Sequence, residues 1–66
     1  MQILLNGEPH EIEAGLSLAG LLERFGLAQR RVAIEVNGEI VPRGLHAGHA
    51  LREGDRIEVV HALGGG

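Results

Sequence analysis

The sequence predicts an α+β fold: a mixed sheet of four to five strands packed on one helix, followed by a flexible C-terminal glycine tail. Three observations lead there. Two Asn-Gly pairs, Asn6-Gly7 and Asn37-Gly38, each separate short runs with strand-like alternation. An apolar stripe at helical spacing lies between them. The last apolar run, Ile57 to Leu63, gives way to Gly64-Gly65-Gly66.

Residues 1–5, Met-Gln-Ile-Leu-Leu, read as the first strand. Asn-Gly then suits a two-residue hairpin turn, because both central residues of that turn need positive φ. The return strand runs from about Glu8 to Glu13, and Pro9, with no N–H to donate, places it at a sheet edge. Ser17 offers an N-cap, and Leu18, Leu21, Leu22 and Phe25 follow at i, i+3, i+4 and i+7 as one buried helical stripe. Leu16 and Leu21 have the spacing of a hydrophobic staple. Gly26 stands where a left-handed residue ends a helix, and Leu27 can pack back on the last turn. So short a helix is unstable alone and must lean on a sheet. Val32, Ile34 and Val36 alternate as a third strand; Glu39 to Val41 form a short fourth, ended by Pro42. Residues 43–54 read as a polar loop, and Arg56 to His61 as the last strand. Hairpin, helix and returning hairpin suit a sheet wrapped around a helix, the β-grasp arrangement. The expected domain covers residues 1–63 and the tail residues 64–66.

Composition narrows the chemistry. A chain of 66 residues makes one small domain, and 44% hydrophobic with 23% charged residues is a folding composition. A net charge of −3 argues against a nucleic-acid partner. No apolar run would span a bilayer and no basic-then-apolar leader opens the chain, so a cytoplasmic protein without a membrane partner is expected. The absence of cysteine excludes disulfides, a thiolate nucleophile and a side-chain persulfide. Any sulfur chemistry would have to use the backbone terminus. All six basic residues are arginine, so the chain cannot be polymerised on itself through lysine amines.

With Gly66 last, the tail presents a terminal carboxylate on a stalk without side chains. Three extended residues reach about 10 Å, enough to enter a partner's active site. A frayed end is the plain alternative. Other candidates are weaker. His46 and His49 sit three apart in a loop with no third ligand nearby, and read as solvated histidines rather than a metal site. His61 shares parity with Ile57 and Val59, which suggests half-buried packing. Glu8, Glu11, Glu13, Glu53, Asp55 and Glu58 are paired by no motif and read as solvated carboxylates. The glycines at 7, 15, 20 and 26 lack the fingerprint of a phosphate loop. If Ile3, Leu5, Ile57 and Val59 face the helix, then Leu4, Val60 and Ala62 face away, and with Leu63 would form an apolar partner-binding patch leading to the tail.

Several segments together carry a family resemblance. Met1 to Gly7, then Val36-Asn37-Gly38-Glu39-Ile40-Val41-Pro42-Arg43, then Gly54-Asp55-Arg56-Ile57, then the glycine end are similar to the thiamine-biosynthesis sulfur carrier (ThiS) family of ubiquitin-like β-grasp proteins. Two departures stand out: His46 where the family often has a bulky aromatic, and a third glycine, Gly64. The resemblance implies a carrier and cosubstrate rather than an enzyme, with no bound cofactor. An E1-like adenylating enzyme would use ATP and magnesium to activate the Gly66 carboxylate. A sulfur source such as a cysteine desulfurase would supply a persulfide, and the resulting thiocarboxylate would give its sulfur to thiazole synthase for the thiazole of thiamine. The glycine end is shared with carriers for tRNA thiolation or molybdopterin synthesis and with ubiquitin-like modifiers conjugated through the terminal glycine. A non-reactive interaction domain is the remaining alternative.

Overall fold

Both Asn-Gly pairs turn the chain as their residues require. In the computed structural model, which describes residues 1–61, Asn6 and Gly7 have φ of 51° and 85°, and Asn37 and Gly38 have φ of 53° and 87°. Positive φ at both central residues gives the hairpin turn whose twist matches its strands. The first turn joins β1 (Gln2–Leu5) to β2 (Glu8–Glu11), and the second joins β3 (Val32–Val36) to β4 (Glu39–Ile40). Helix α1 (Leu18–Arg24) lies between the hairpins, and β5 (Arg56–His61) follows them. The sheet order is β2-β1-β5-β3-β4, with β1 and β5 parallel and every other pair antiparallel. The last strand therefore enters the middle of the sheet. Pro9 lies in the edge strand β2, where its missing N–H breaks no ladder.

Alternation along the strands sends Ile3, Leu5, Ile34, Val36 and Ile57 to one face, where they meet Leu18, Leu21 and Leu22 of α1. Ile12 and Leu51 complete this core. Phe25 departs from expectation. It is the C-cap residue, at the end of the stripe, and is 39% exposed, with its ring edge-on to His10 at 4.9 Å. The helix ends at Arg24, one residue before it, and Phe25 leaves the helical backbone conformation. Leu27 packs on the core instead. Its N–H donates to the Leu22 carbonyl (2.7 Å) and that of Gly26 to Glu23 (3.1 Å). With Gly26 at φ 73° this is a Schellman stop.

The loop after β4 is not simply polar. It begins with a 3-10 turn (Arg43–Leu45), buries Leu51, and serves the N-terminus of α1. The first turn of a helix leaves its N–H groups without helical partners. Here Leu18 donates to the His49 carbonyl (2.8 Å), Ala19 to the His46 carbonyl (3.1 Å) and Gly20 to the Ser17 hydroxyl (3.0 Å). Gly20 serves packing as well: a Cβ there would meet Leu16 Cδ1 at 2.8 Å. Leu16 thus lies across Gly20 while packing on the core, at the place the staple was expected. Outside, Arg24 grips Glu13 through two bonds of 2.8 and 2.6 Å, holding the Glu13 carboxyl down at about 2.

Candidate functional site

The expected reactive group, the Gly66 carboxylate, lies outside the described residues, as do Gly64, Gly65, Ala62 and Leu63. The strand that leads to them, β5, is described as far as His61. Backbone groups in a strand alternate sides, so the bonds of β5 can be assigned residue by residue. Leu4 N–H donates to the Asp55 carbonyl (2.9 Å) and Asn6 N–H to that of Ile57 (2.8 Å), so odd positions face β1. Asn37 N–H donates to the Arg56 carbonyl (2.8 Å), so even positions face β3.

Two asparagine side chains fasten the strand. Asn6 Oδ1 accepts from Val59 N–H (2.8 Å), where β1 has already turned away, and so extends the ladder by one bond. Asn37 Oδ1 accepts from Arg56 N–H (3.0 Å), while its Nδ2 donates to Asp55 Oδ1 (2.9 Å). The other Asp55 oxygen accepts from Arg52 N–H (2.8 Å). Asp55, expected to be solvated, is 9% exposed, and these bonds offset the cost of burying its charge. The Asn-Gly turn signal was visible in the sequence. Nothing in it told which backbone the asparagine side chains would hold.

The face of the sheet away from α1 is uncovered among the described residues. As expected, Ile3, Leu5 and Ile57 are buried, with Val59 half-buried, while Leu4 and Val60 point the other way; Val60 is 48% exposed. Among the described residues of the expected patch, Leu4 and Val60 are not neighbours; Ala62 and Leu63 lie outside the described residues. Leu4 is in register with Arg56, so Arg56 and Glu58 occupy the outer face of β5 before Val60 is reached. The separation along the strand is about 13 Å. Val60 pairs instead with Ala33 of β3, and Glu58 lies opposite Glu35. The outer face is thus apolar at the tail end and acidic at its centre. Like charges directly opposite destabilise a sheet, and neither carboxylate forms an ion pair among the described residues.

The histidines differ from expectation in both directions. His46 is 8% exposed rather than solvated. Its Nε2 lies 2.8 Å from the Val41 carbonyl, which can only accept, so that nitrogen carries the proton. His61 is exposed rather than half-buried, because it lies four positions past buried Ile57, beyond the reach of the core. His49 is half-buried, and among the described residues no three His, Asp or Glu converge as a metal site would require.

A sequence model of the ThiS family matches residues 3–66. A thiazole synthase from Magnetococcus marinus is 53% identical over all 66 residues, and one from Paramagnetospirillum magneticum is 39% identical. The chain spans 20% of the length of each of these two relatives. The sulfur carrier protein ThiS of Escherichia coli is 36% identical, with both chains covered over their full length. A crystal structure of the thiamine biosynthesis protein ThiS from Geobacter metallireducens superposes with a TM-score of 0.87 at 30% identity, again over both whole chains. The β-grasp fold expected from the element order is the fold found.

Proposed function

The chain belongs to the ThiS family, and on that premise we propose that it carries sulfur on the carboxyl group of Gly66 for the thiazole ring of thiamine. One observation carries this reading: the match to the E. coli sulfur carrier runs from end to end of both chains, and so includes the glycine tail. The two thiazole synthases that contain a region similar to this whole chain support thiazole synthase as the acceptor. Regions joined in one polypeptide meet at high effective concentration, which suits a carrier and its acceptor.

The chemistry starts from a poor electrophile. A carboxylate repels nucleophiles, and oxide is a poor leaving group. An adenylating enzyme holding ATP and magnesium removes both obstacles. The Gly66 carboxylate attacks the α-phosphorus, pyrophosphate leaves, and an acyl-adenylate forms. The terminal sulfur of an enzyme persulfide then attacks the carbonyl carbon and AMP departs. A thiol cleaves the acyl disulfide, leaving as a disulfide itself, and the thiocarboxylate remains on the carrier. Donation of that sulfur to the thiazole precursor returns the carboxylate. The carrier contributes reach and aim. Glycines let the terminus enter a narrow channel, while β5, in the middle of the sheet, gives the stalk a rigid root.

Partners are taken to dock on the outer sheet face beside the tail. Val60 supplies the apolar contact with Ala33, and Leu4 is a separate, outlying contact. The test is complementation of a thiamine auxotroph that lacks its own sulfur carrier. The intact chain restores growth without thiamine, and the chain lacking Gly66 does not. Equal rescue by both would overturn the proposal.

A further inference from the structure

Beside its exit, β5 is bonded on one side only. On the β3 side pairing continues to the last described residue, Val32 against His61. On the β1 side the ladder stops at Leu5 and Ile57. Asn6 satisfies Val59 N–H, and among the described residues no further group pairs on this side. The alternation set by Leu4–Asp55 and Asn6–Ile57 puts the carbonyl of Val59 and both backbone groups of His61 on this open side. One donor and two acceptors in sheet register, beside exposed Val60 and His61, form a vacant edge among the described residues.

We propose that this edge takes an extended strand of the acceptor enzyme, so that the carrier is held by backbone pairing at the root of its tail. This rests on the reading of the chain as a sulfur carrier. Side-chain docking on the outer face would fix position but leave the tail's direction free. A strand laid against Val59–His61 fixes the direction of the chain where it passes into the tail. Thiazole synthase is the occupant assigned, because in two relatives a region similar to this chain shares its polypeptide. Adding a strand to a sheet edge is a general mode of recognition, in which the main chain supplies affinity.

The test exploits the parity of β5. His61→Pro removes an N–H that faces the open side and leaves the β3 ladder intact, whereas His61→Ala keeps that N–H. Calorimetry with purified thiazole synthase should show His61→Ala binding like the unmodified chain and His61→Pro binding about tenfold or more weakly, the scale of one lost backbone bond together with the ring's intrusion on the edge. The melt of His61→Pro should stay close to that of the unmodified chain. Amide exchange on the unmodified chain gives a second readout that needs no variant. The His61 amide should exchange freely in the carrier alone and become protected in the complex, while the Val60 amide, bonded to β3, is protected in both. Equal binding by the two variants, or a His61 amide equally exposed in the complex, would overturn the proposal. Protection that rises with carrier concentration alone would assign the edge to a second copy and overturn it too. An unmodified chain that does not bind thiazole synthase at all would overturn the acceptor reading itself, and this one with it.

Discussion

The two halves of β5 share one strand and live in different environments. Arg56 to Glu58 are bonded on both sides, with Ile57 fully buried and the Asn37 side chain fastened to Arg56. Val59 to His61 are bonded to β3, with a single side-chain bond from Asn6 on the other flank, and Val60 is 48% exposed. The first half ties the strand into the fold. The second carries it out toward the tail while leaving one edge and one face unoccupied among the described residues. On the function proposed above, the chain presents its terminus to successive partners and needs both: a root that does not yield and an exit that is not already filled.

Substitutions in the two halves should therefore separate stability from binding. The largest effect is expected from Ile57→Ala, which empties a fully buried site facing Leu18 and Leu21 in the core. Core truncations of this kind cost about 2–5 kcal/mol, and in so small a domain that approaches the whole stability. Val60→Ala should change the unfolding free energy obtained from urea denaturation by no more than about 0.5 kcal/mol, the ordinary surface range. Comparable losses from both would erase the distinction between the halves.

Val60→Arg is the complementary change. It should leave the melt nearly intact and weaken partner binding by about 1–3 kcal/mol, since it places a charge in a desolvated contact. Leu4→Arg should weaken binding less, because Arg56 and Glu58 stand between Leu4 and the tail end of the face. Equal losses from the two would restore one continuous patch.

The asparagines give a finer contrast, because glycine keeps positive φ and removes only the side-chain bonds. Asn37→Gly strips an acceptor from Arg56 N–H and a donor from buried Asp55, for about 1–3 kcal/mol. Asn6→Gly loses one bond, to Val59 N–H, for about 0.5–1.5 kcal/mol. Its signature should be local: faster exchange of the Val59 amide with little change at Ile57.

The smallest effect lies far from β5. The guanidinium of Arg24 holds the Glu13 carboxyl at about 2, below its ordinary 4.5, so the carboxylate form is favoured in the folded state. Stability from this pair is complete above pH 4.5 and is lost as pH falls toward 2. The pair is exposed and screened by solvent, so the contribution is small. The difference in melting temperature between the unmodified chain and Glu13→Gln should close over that window, and a gap that persisted at the acid end would contradict the assignment.

Where local chemistry determines local shape, the sequence was legible. The Asn-Gly pairs, the Ser17 cap and the Gly26 stop each act on neighbours a few residues away, and all three stand where they were read. What could not be read depends on contacts between distant segments. His46 becomes buried because its loop folds back to cap α1, some 27 positions earlier at Ala19. Asp55 is buried because Asn37 reaches it from another hairpin. Leu4 and Val60 face the same way, as alternation required, yet their separation depends on the β1–β5 register, which no single strand encodes. The tail was recognised by family likeness and by its glycines, and lies outside the described residues.

The central claim is that Gly66 carries the sulfur, and intact mass spectrometry tests it most directly. The carrier is incubated with ATP, magnesium, the adenylating enzyme and a cysteine-derived persulfide source, then weighed whole and after digestion. The account predicts a gain equal to the difference between sulfur and oxygen, located on the C-terminal peptide, since no cysteine exists to hold sulfur elsewhere. An unchanged mass under conditions that convert the E. coli carrier, or a gain on an internal peptide, would contradict it.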